Sequence, residues 1–356
     1  MDVDVLEGLI ETSAQHDARK HDHTADAQAL RFDGDAKLLV PPTLMGYLPP
    51  LVMTEWADRQ LYAKLGPVVF GRGSSKALPY DYLSALEPDL RADVLNRHLT
   101  AAGDRRWLVR GYDASARAVL DSGYPIVSNT ELLEALEGLI KHERGKFPGL
   151  QFVRPSVTAD DLNVKIVWRN VDPDGAGGNP PFGLGCYLGN GEIGNRRIRL
   201  WPLVQKHSCT NSIIVDHDEG LTLTHRGSLA GIMVLIKAAM GRVFRASAEA
   251  LDRLILAESE RIEDLSDVLD GLSVKYGWRD EVRDAVAFGM EGRQTRAGLV
   301  GGITYAAHAV FDDPNEQADM EVLGGRVLMA DGGLFAAAVR LAREQRLVGA
   351  AAALRA

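Results

Sequence analysis

Apolar positions along this chain change their period twice, and the changes divide it into three stretches. From Thr54 to about Leu65, and again from Asp89 to Leu99 with Leu90, Val94 and Leu95 on one face, apolar residues recur every three to four positions. That spacing predicts two helices. Thr54 offers the first an N-cap hydroxyl, and Gly66-Pro67 is expected to stop it. From Arg106 the period becomes two: Trp107, Val109 and Gly111 alternate with Leu108, Arg110 and Tyr112, and Ala116 to Leu120 forms a second short apolar run. A hairpin turning near Asp113 to Ser115 follows. Ser128 with Glu131 is a capping box, and Leu132, Leu133, Leu136, Leu139 and Ile140 form the buried stripe of the helix it starts.

Six strand candidates come next, at 150–157, 162–168, 184–188, 198–204, 212–215 and 221–225. The turns between them are rich in Asp, Gly and Pro, as at Ala159-Asp160-Asp161, Asp172-Pro173-Asp174-Gly175 and Asp218-Glu219-Gly220. Short connections make consecutive strands antiparallel neighbours. After Gly227 the helical period returns, with Leu229, Ile232, Met233, Ile236, Met240 and Val243 leading into a stripe from Leu251 to Leu272. This is one very long helix or two joined by a bend. Residues 281–288 and 335–347 are also helical in pattern, with a glycine-rich break expected at Gly298 to Gly302.

Strands gathered in the middle with helices at both ends give an α+β protein with a central antiparallel sheet, flanking helices and a helical C-terminal region. The expected organisation is an N-terminal arm and extended segment over 1–53, an α+β core over 54–226 and a mainly helical region over 227–356. Residues 1–36 are polar, with His16, His21 and His23, and read as a mobile or loosely docked arm; Pro41-Pro42 and Pro49-Pro50 bracket an extended segment.

Composition adds limits. With 356 residues, 46% hydrophobic and 25% charged, the chain can bury a large core. Its apolar runs fall short of the roughly 20 residues that cross a bilayer, and its acidic start is unlike a signal peptide, so a cytoplasmic protein without a membrane span is expected. Two cysteines, Cys186 and Cys209, are too few for a disulfide framework. The net charge of −9 is unevenly spread: residues 1–60 and 246–290 each hold 11 acids against 5 bases, whereas residues 61–245 hold 23 bases against 19 acids.

No catalytic or cofactor motif survives its context. Gly189-Asn190-Gly191-Glu192-Ile193-Gly194 has dinucleotide-loop spacing, but the residues after it alternate like a strand, so no helix start is present to hold a pyrophosphate; it reads as a hairpin turn. Gly71 to Lys76 lacks the order of a phosphate loop. The densest metal-capable group is His207, Cys209, Asp216 and His225, and a hairpin would bring the first two towards the last. No metal or other cofactor is expected from so loose a spacing. Basic residues are more suggestive. Arg105, Arg106, Arg110 and Arg117 cluster on the first hairpin, and Arg196, Arg197, Arg199, Lys206 and Arg226 fall in and around later strands with Trp201 nearby. A groove lined by arginines with an occasional ring suits single-stranded nucleic acid, where cations follow the backbone and rings stack on bases.

Several of these stretches resemble the phage/plasmid-like protein family of unknown function. The residues that carry the likeness are Thr54 to Gly66 (TEWADRQLYAKLG), Tyr82-Leu83, Val94-Leu95-Asn96, Trp107 to Arg110, Arg117 to Leu120, Tyr124 and Asn129, then Tyr187 to Leu200, Cys209-Thr210-Asn211, and Gly302 to Tyr305. The match covers most of residues 54–310. It departs from the family at Gly191, where serine usually precedes the glutamate, and in lacking a glycine after Asn211. The resemblance implies a protein of a phage or plasmid and brings no catalytic residues with it. A more distant, fold-level analogy is to phage single-strand annealing proteins, which assemble into rings. The leading expectation is therefore a non-catalytic, single-stranded nucleic-acid-binding protein, a homo-oligomeric annealing or recombination factor. The competing readings are a metal-dependent enzyme of nucleic-acid metabolism and a structural or host-interaction protein that self-associates through the Leu251 to Leu272 stripe.

Overall fold

The structure is a computed structural model and describes residues 3–42, 49–71, 73–142, 150–173, 181–207, 211–216 and 219–353. Parts of the proline-bracketed segment, the Asp174-Gly175 turn, Cys209 and Asp218 lie outside the described residues. The protein is α+β, with helices flanking antiparallel sheets and a helical C-terminal region.

The N-terminal segment is built into the fold, contrary to the expected loose arm. Helix α1 (Val3–Asp17) packs Leu6 and Leu9 into the main core, and strand β1 (Lys20–Asp26) forms the edge of the first sheet. Apolar residues too sparse to mark the segment alone suffice once its backbone pairs with a strand some 86 positions later, His23 opposite Val109. Two short strands, β2 (Arg31–Phe32) and β3 (Leu38–Leu39), pair with each other, and β4 (Val52–Met53) leads into α2 (Glu55–Val69). The Thr54 hydroxyl caps α2 through Ala57 N–H, as expected, but the helix runs through Gly66-Pro67 because Phe70 N–H still reaches the Gly66 carbonyl at 2.8 Å. Pro67 has no N–H to give to the Ala63 carbonyl, and that bond is missing from the last turn.

A short helix α3 (Tyr80–Ser84) precedes α4 (Pro88–Ala102). The buried stripe of α4 is Ala92, Leu95, Leu99 and Ala102, whereas Leu90 is 50% exposed. Hairpin strands β5 (Arg106–Tyr112) and β6 (Ser115–Asp121) complete the first sheet in the order β1-β5-β6-β4, antiparallel except for β4 against β6. One face of that sheet, Trp107, Val109 and Val119, packs on Leu61, Leu65, Leu95 and Leu99 of α2 and α4. The other face carries Leu108, Arg110, Ala118 and Leu120 and is covered as well.

Helix α5 (Asn129–His142) begins at the expected capping box, in which Ser128 N–H donates to the Glu131 carboxylate and Glu131 N–H to the Ser128 hydroxyl, both at 3.1 Å. The central sheet follows: β7 (Gln151–Val157), β8 (Asp161–Val171), β9 (Phe182–Gly191), β10 (Ile198–Lys206), β11 (Ser212–Ile214) and β12 (Leu221–Leu223), every pairing antiparallel, with β11 and β12 sharing the free side of β10. Val164, Ile166, Cys186, Leu188 and Leu200 meet α1, α5 and the first half of α6 (Leu229–Ala257); Val167, Tyr187, Leu203 and Ile214 meet the helices of the C-terminal region on the opposite face.

Those helices are α7 (Leu265–Tyr276), α8 (Asp280–Gly289), α9 (Arg296–Ala309), α10 (Pro314–Met329) and α11 (Gly333–Ala353). The long apolar span is thus two helices with a break, and Leu251, Leu254, Val268, Leu269 and Leu272 from its stripe are spent on the internal core of this chain instead of an outward face. The expected break at Gly298 to Gly302 is absent, since α9 passes through it. These glycines let helices approach closely: a Cβ on Gly302 would lie 2.2 Å from the Val286 carbonyl oxygen of α8. Among the described residues, no single helix is long and apolar enough to cross a membrane; α10 and α11 reach that length only together, across a 112° bend.

Candidate nucleic-acid interface

The first and central sheets meet at the β9–β10 turn, and a carboxylate holds them together. Glu192 follows β9, and its side chain is completely buried. Lys20 of β1 donates to both its oxygens at 2.8 Å, Asn129 N–H to Oε1 at 2.7 Å and Arg117 to Oε2 at 3.2 Å, with Arg110 at 3.6 Å. Arg110 also bonds the Glu192 carbonyl and pairs with Asp22, while Arg117 pairs with Asp160 at 2.8 Å. A buried charge persists only when paired and hydrogen-bonded, and this one is met by three cations.

Two of the expected nucleic-acid contacts are therefore corrected. Arg110 and Arg117 have side chains 2% and 3% exposed and are occupied by carboxylates, so neither reaches a phosphate. Trp201 is likewise buried, its indole N–H donating to Thr222 at 3.0 Å, with the Arg199 guanidinium 4.7 Å above its ring. That ring cannot stack on a base. Arg196 makes two hydrogen bonds to Asp319, at 3.0 and 2.8 Å, and Arg199 lies 3.7 Å from the same carboxylate. Arg106 faces Asp26 at 3.7 Å on the surface, Arg105 is half-buried beside it, and Lys206 lies at the far end of β10.

What the fold does bring together is a groove of about 680 Å³ where the sheets meet, drawn from residues after β6, from the β9–β10 turn and from residues after β12. Arg196, Arg197 and Arg226 line it with Tyr124 and His225. Arg197 and Arg226 are exposed, and among the described residues neither has an ion-pair partner. Among the described residues the one carboxylate on the lining, Asp121, is paired with Lys64 at 2.5 Å. The turn that presents Arg196 and Arg197 is fixed from three sides: Trp56 and Gln60 of α2 donate to the Ile193 carbonyl at 3.1 and 2.8 Å, Arg110 bonds the preceding carbonyl, and Gly194 takes φ of +75°, where a side chain would be strained.

Tyr124 Oη and His225 Nδ1 are hydrogen-bonded at 2.7 Å. Burial, with Arg110 close by, pushes His225 down to about 4, and burial pushes Tyr124 up to about 12. Both rings are therefore uncharged near neutral pH, and the arginines set the charge of the groove. His225 lines this groove beside Tyr124. His207 bonds Asn170 at 3.0 Å, Asp216 pairs with Arg326 at 2.9 Å, and among the described residues no three His, Cys, Asp or Glu side chains are placed to hold a metal. Tyr124 and Glu192 are the residues sequence reasoning undervalued. The glutamate had one signal, an acid inside a glycine turn next to a run of strand.

No family model, curated protein or solved structure matches this chain.

Proposed function

We propose that the protein binds single-stranded nucleic acid through the groove formed by Tyr124, Arg196, Arg197, His225 and Arg226. The observation that carries this reading is the pair of exposed arginines, Arg197 and Arg226, unmatched by carboxylates among the described residues and placed beside an aromatic side chain in one concavity. Unpaired guanidinium groups attract phosphate, and the half-buried Tyr124 ring lines the same concavity, where a base would meet it. A net charge of −9 disfavours a protein that wraps long duplex, because the acidic remainder repels it; a short flexible strand needs only local complementarity. The resemblance of residues 54–310 to the phage/plasmid-like family is consistent with such a role on a mobile element.

The test is fluorescence anisotropy with a labelled oligothymidylate across a salt series. Two arginine–phosphate contacts on a single strand correspond to a slope of log K against log salt of about −1.4. Replacing Arg197 and Arg226 together by Ala should bring that slope close to zero and weaken binding at every salt concentration. Binding that is absent at low salt, or unchanged in the double variant, overturns the reading. Arg105→Ala serves as the control and should leave affinity nearly unaltered.

A further inference from the structure

The charges on the groove can be followed one by one. Arg196 is held by Asp319 through two hydrogen bonds, and Asp121, the lining carboxylate, is held by Lys64. Tyr124 and His225 are uncharged near neutral pH, so the groups left free to take a ligand are the guanidinium groups of Arg197 and Arg226. Strand geometry brings these two together. Ile198 of β10 faces Leu223 of β12, and Arg197 and Arg226 lie one and three positions past the end of that antiparallel pair, both with exposed side chains.

The cations around this pair in the sheets are occupied. Arg199, the next arginine along β10, lies 3.7 Å from Asp319 with its guanidinium over the Trp201 ring, and Arg110 and Arg117 are buried against Glu192. A passing single strand offers one negative charge at each phosphate and is held by cations spaced along its path. A phosphorylated strand end differs, because a phosphomonoester gathers nearly two negative charges and three acceptor oxygens in one group. Two guanidinium groups in one concavity match that group in charge and in donors. At about 680 Å³ the concavity falls in the range, roughly 300–1,000 Å³, that encloses one drug-sized ligand, and a single nucleotide is of that size.

We propose that the groove recognises the phosphorylated end of a single strand, with the terminal phosphomonoester taken by Arg197 and Arg226 and the last nucleotide filling the concavity. This rests on the nucleic-acid reading and narrows it from a passing strand to a strand end. The experiment is calorimetric titration of the intact protein with four unlabelled forms of one oligothymidylate: 5′-phosphorylated, 3′-phosphorylated, unphosphorylated and closed into a circle. At least one phosphorylated form should bind about tenfold more tightly than the unphosphorylated one, as an added charge-assisted contact implies, and the comparison of the two shows which end is seated. The circle should bind no more tightly than the unphosphorylated strand. With Arg197 and Arg226 both replaced by Ala, the gain from the phosphate should vanish. Equal binding of all four forms, weakened alike in the double variant, overturns the end preference and leaves strand binding standing. Absence of binding by every form removes both readings, and a tenfold gain that survives in the double variant overturns the assignment to these arginines.

Discussion

Replacing Glu192 by Gln tests whether the buried carboxylate locks the two sheets together. The change keeps shape and volume but removes the charge that Lys20, Arg117 and Arg110 face, and it turns an amide donor towards cations that can only donate. Removing one partner of a buried ion pair costs about 3–5 kcal/mol, since the others stay buried and uncompensated. Here the lower end applies, because Asp17, Asp22 and Asp160 at the more exposed rim still hold Lys20, Arg110 and Arg117. A loss of about 3 kcal/mol is a large part of the roughly 5–15 kcal/mol that keeps a domain folded. Urea unfolding followed by circular dichroism and by tryptophan emission measures it. Trp56 bonds the residue next to Glu192, so its emission should also report loosening at the sheet junction. A glutamine variant within about 0.5 kcal/mol of the parent would refute the reasoning, since surface changes lie in that range.

Two adjacent glycines should behave oppositely. Gly302→Ala should destabilise by about 1–3 kcal/mol through the clash with Val286, while Gly301→Ala should be neutral or stabilising by up to about 1 kcal/mol through helix propensity, as read from thermal melts. The pH dependence of His225 has a definite sign. With the folded value near 4 and the unfolded one near 6.5, the unfolded chain takes up the proton first, so the contribution is full above the unfolded value and is lost as pH falls towards 4. Relative to His225→Gln, the parent should therefore lose about 2 kcal/mol between pH 7 and pH 5, and a difference independent of pH would contradict the burial of a neutral ring.

Much of the architecture could be read from local pattern. The capping box at Ser128, the alternation in β8 to β10 and the hairpin turn after Gly191 each rest on residues close in sequence, and each stands in the structure. What escaped depends on distant partners. Strand β1 is defined by its pairing with β5, and the helical glycines of α9 are explained only by the neighbouring α8. The arginines show the same limit. Arg110 shares its sheet face with Leu108, a hint that this face is covered, but nothing in the sequence placed Glu192 opposite it. Arg197 and Arg226 looked no different from Arg110 and Arg117. Ion pairing across more than 70 positions, as between Arg117 and Glu192, decided which charges remained free.

The most direct measurement on the nucleic-acid reading is photo-crosslinking of a bromouracil-substituted single strand to the intact protein, with mass spectrometry of the digested adduct. Attachment should fall on Tyr124 or on peptides carrying Gly194 to Arg197 and Thr224 to Gly227, and should disappear when Arg197 and Arg226 are both replaced by Ala. Adducts confined to other exposed rings, such as Tyr82 or Phe288, would contradict the account.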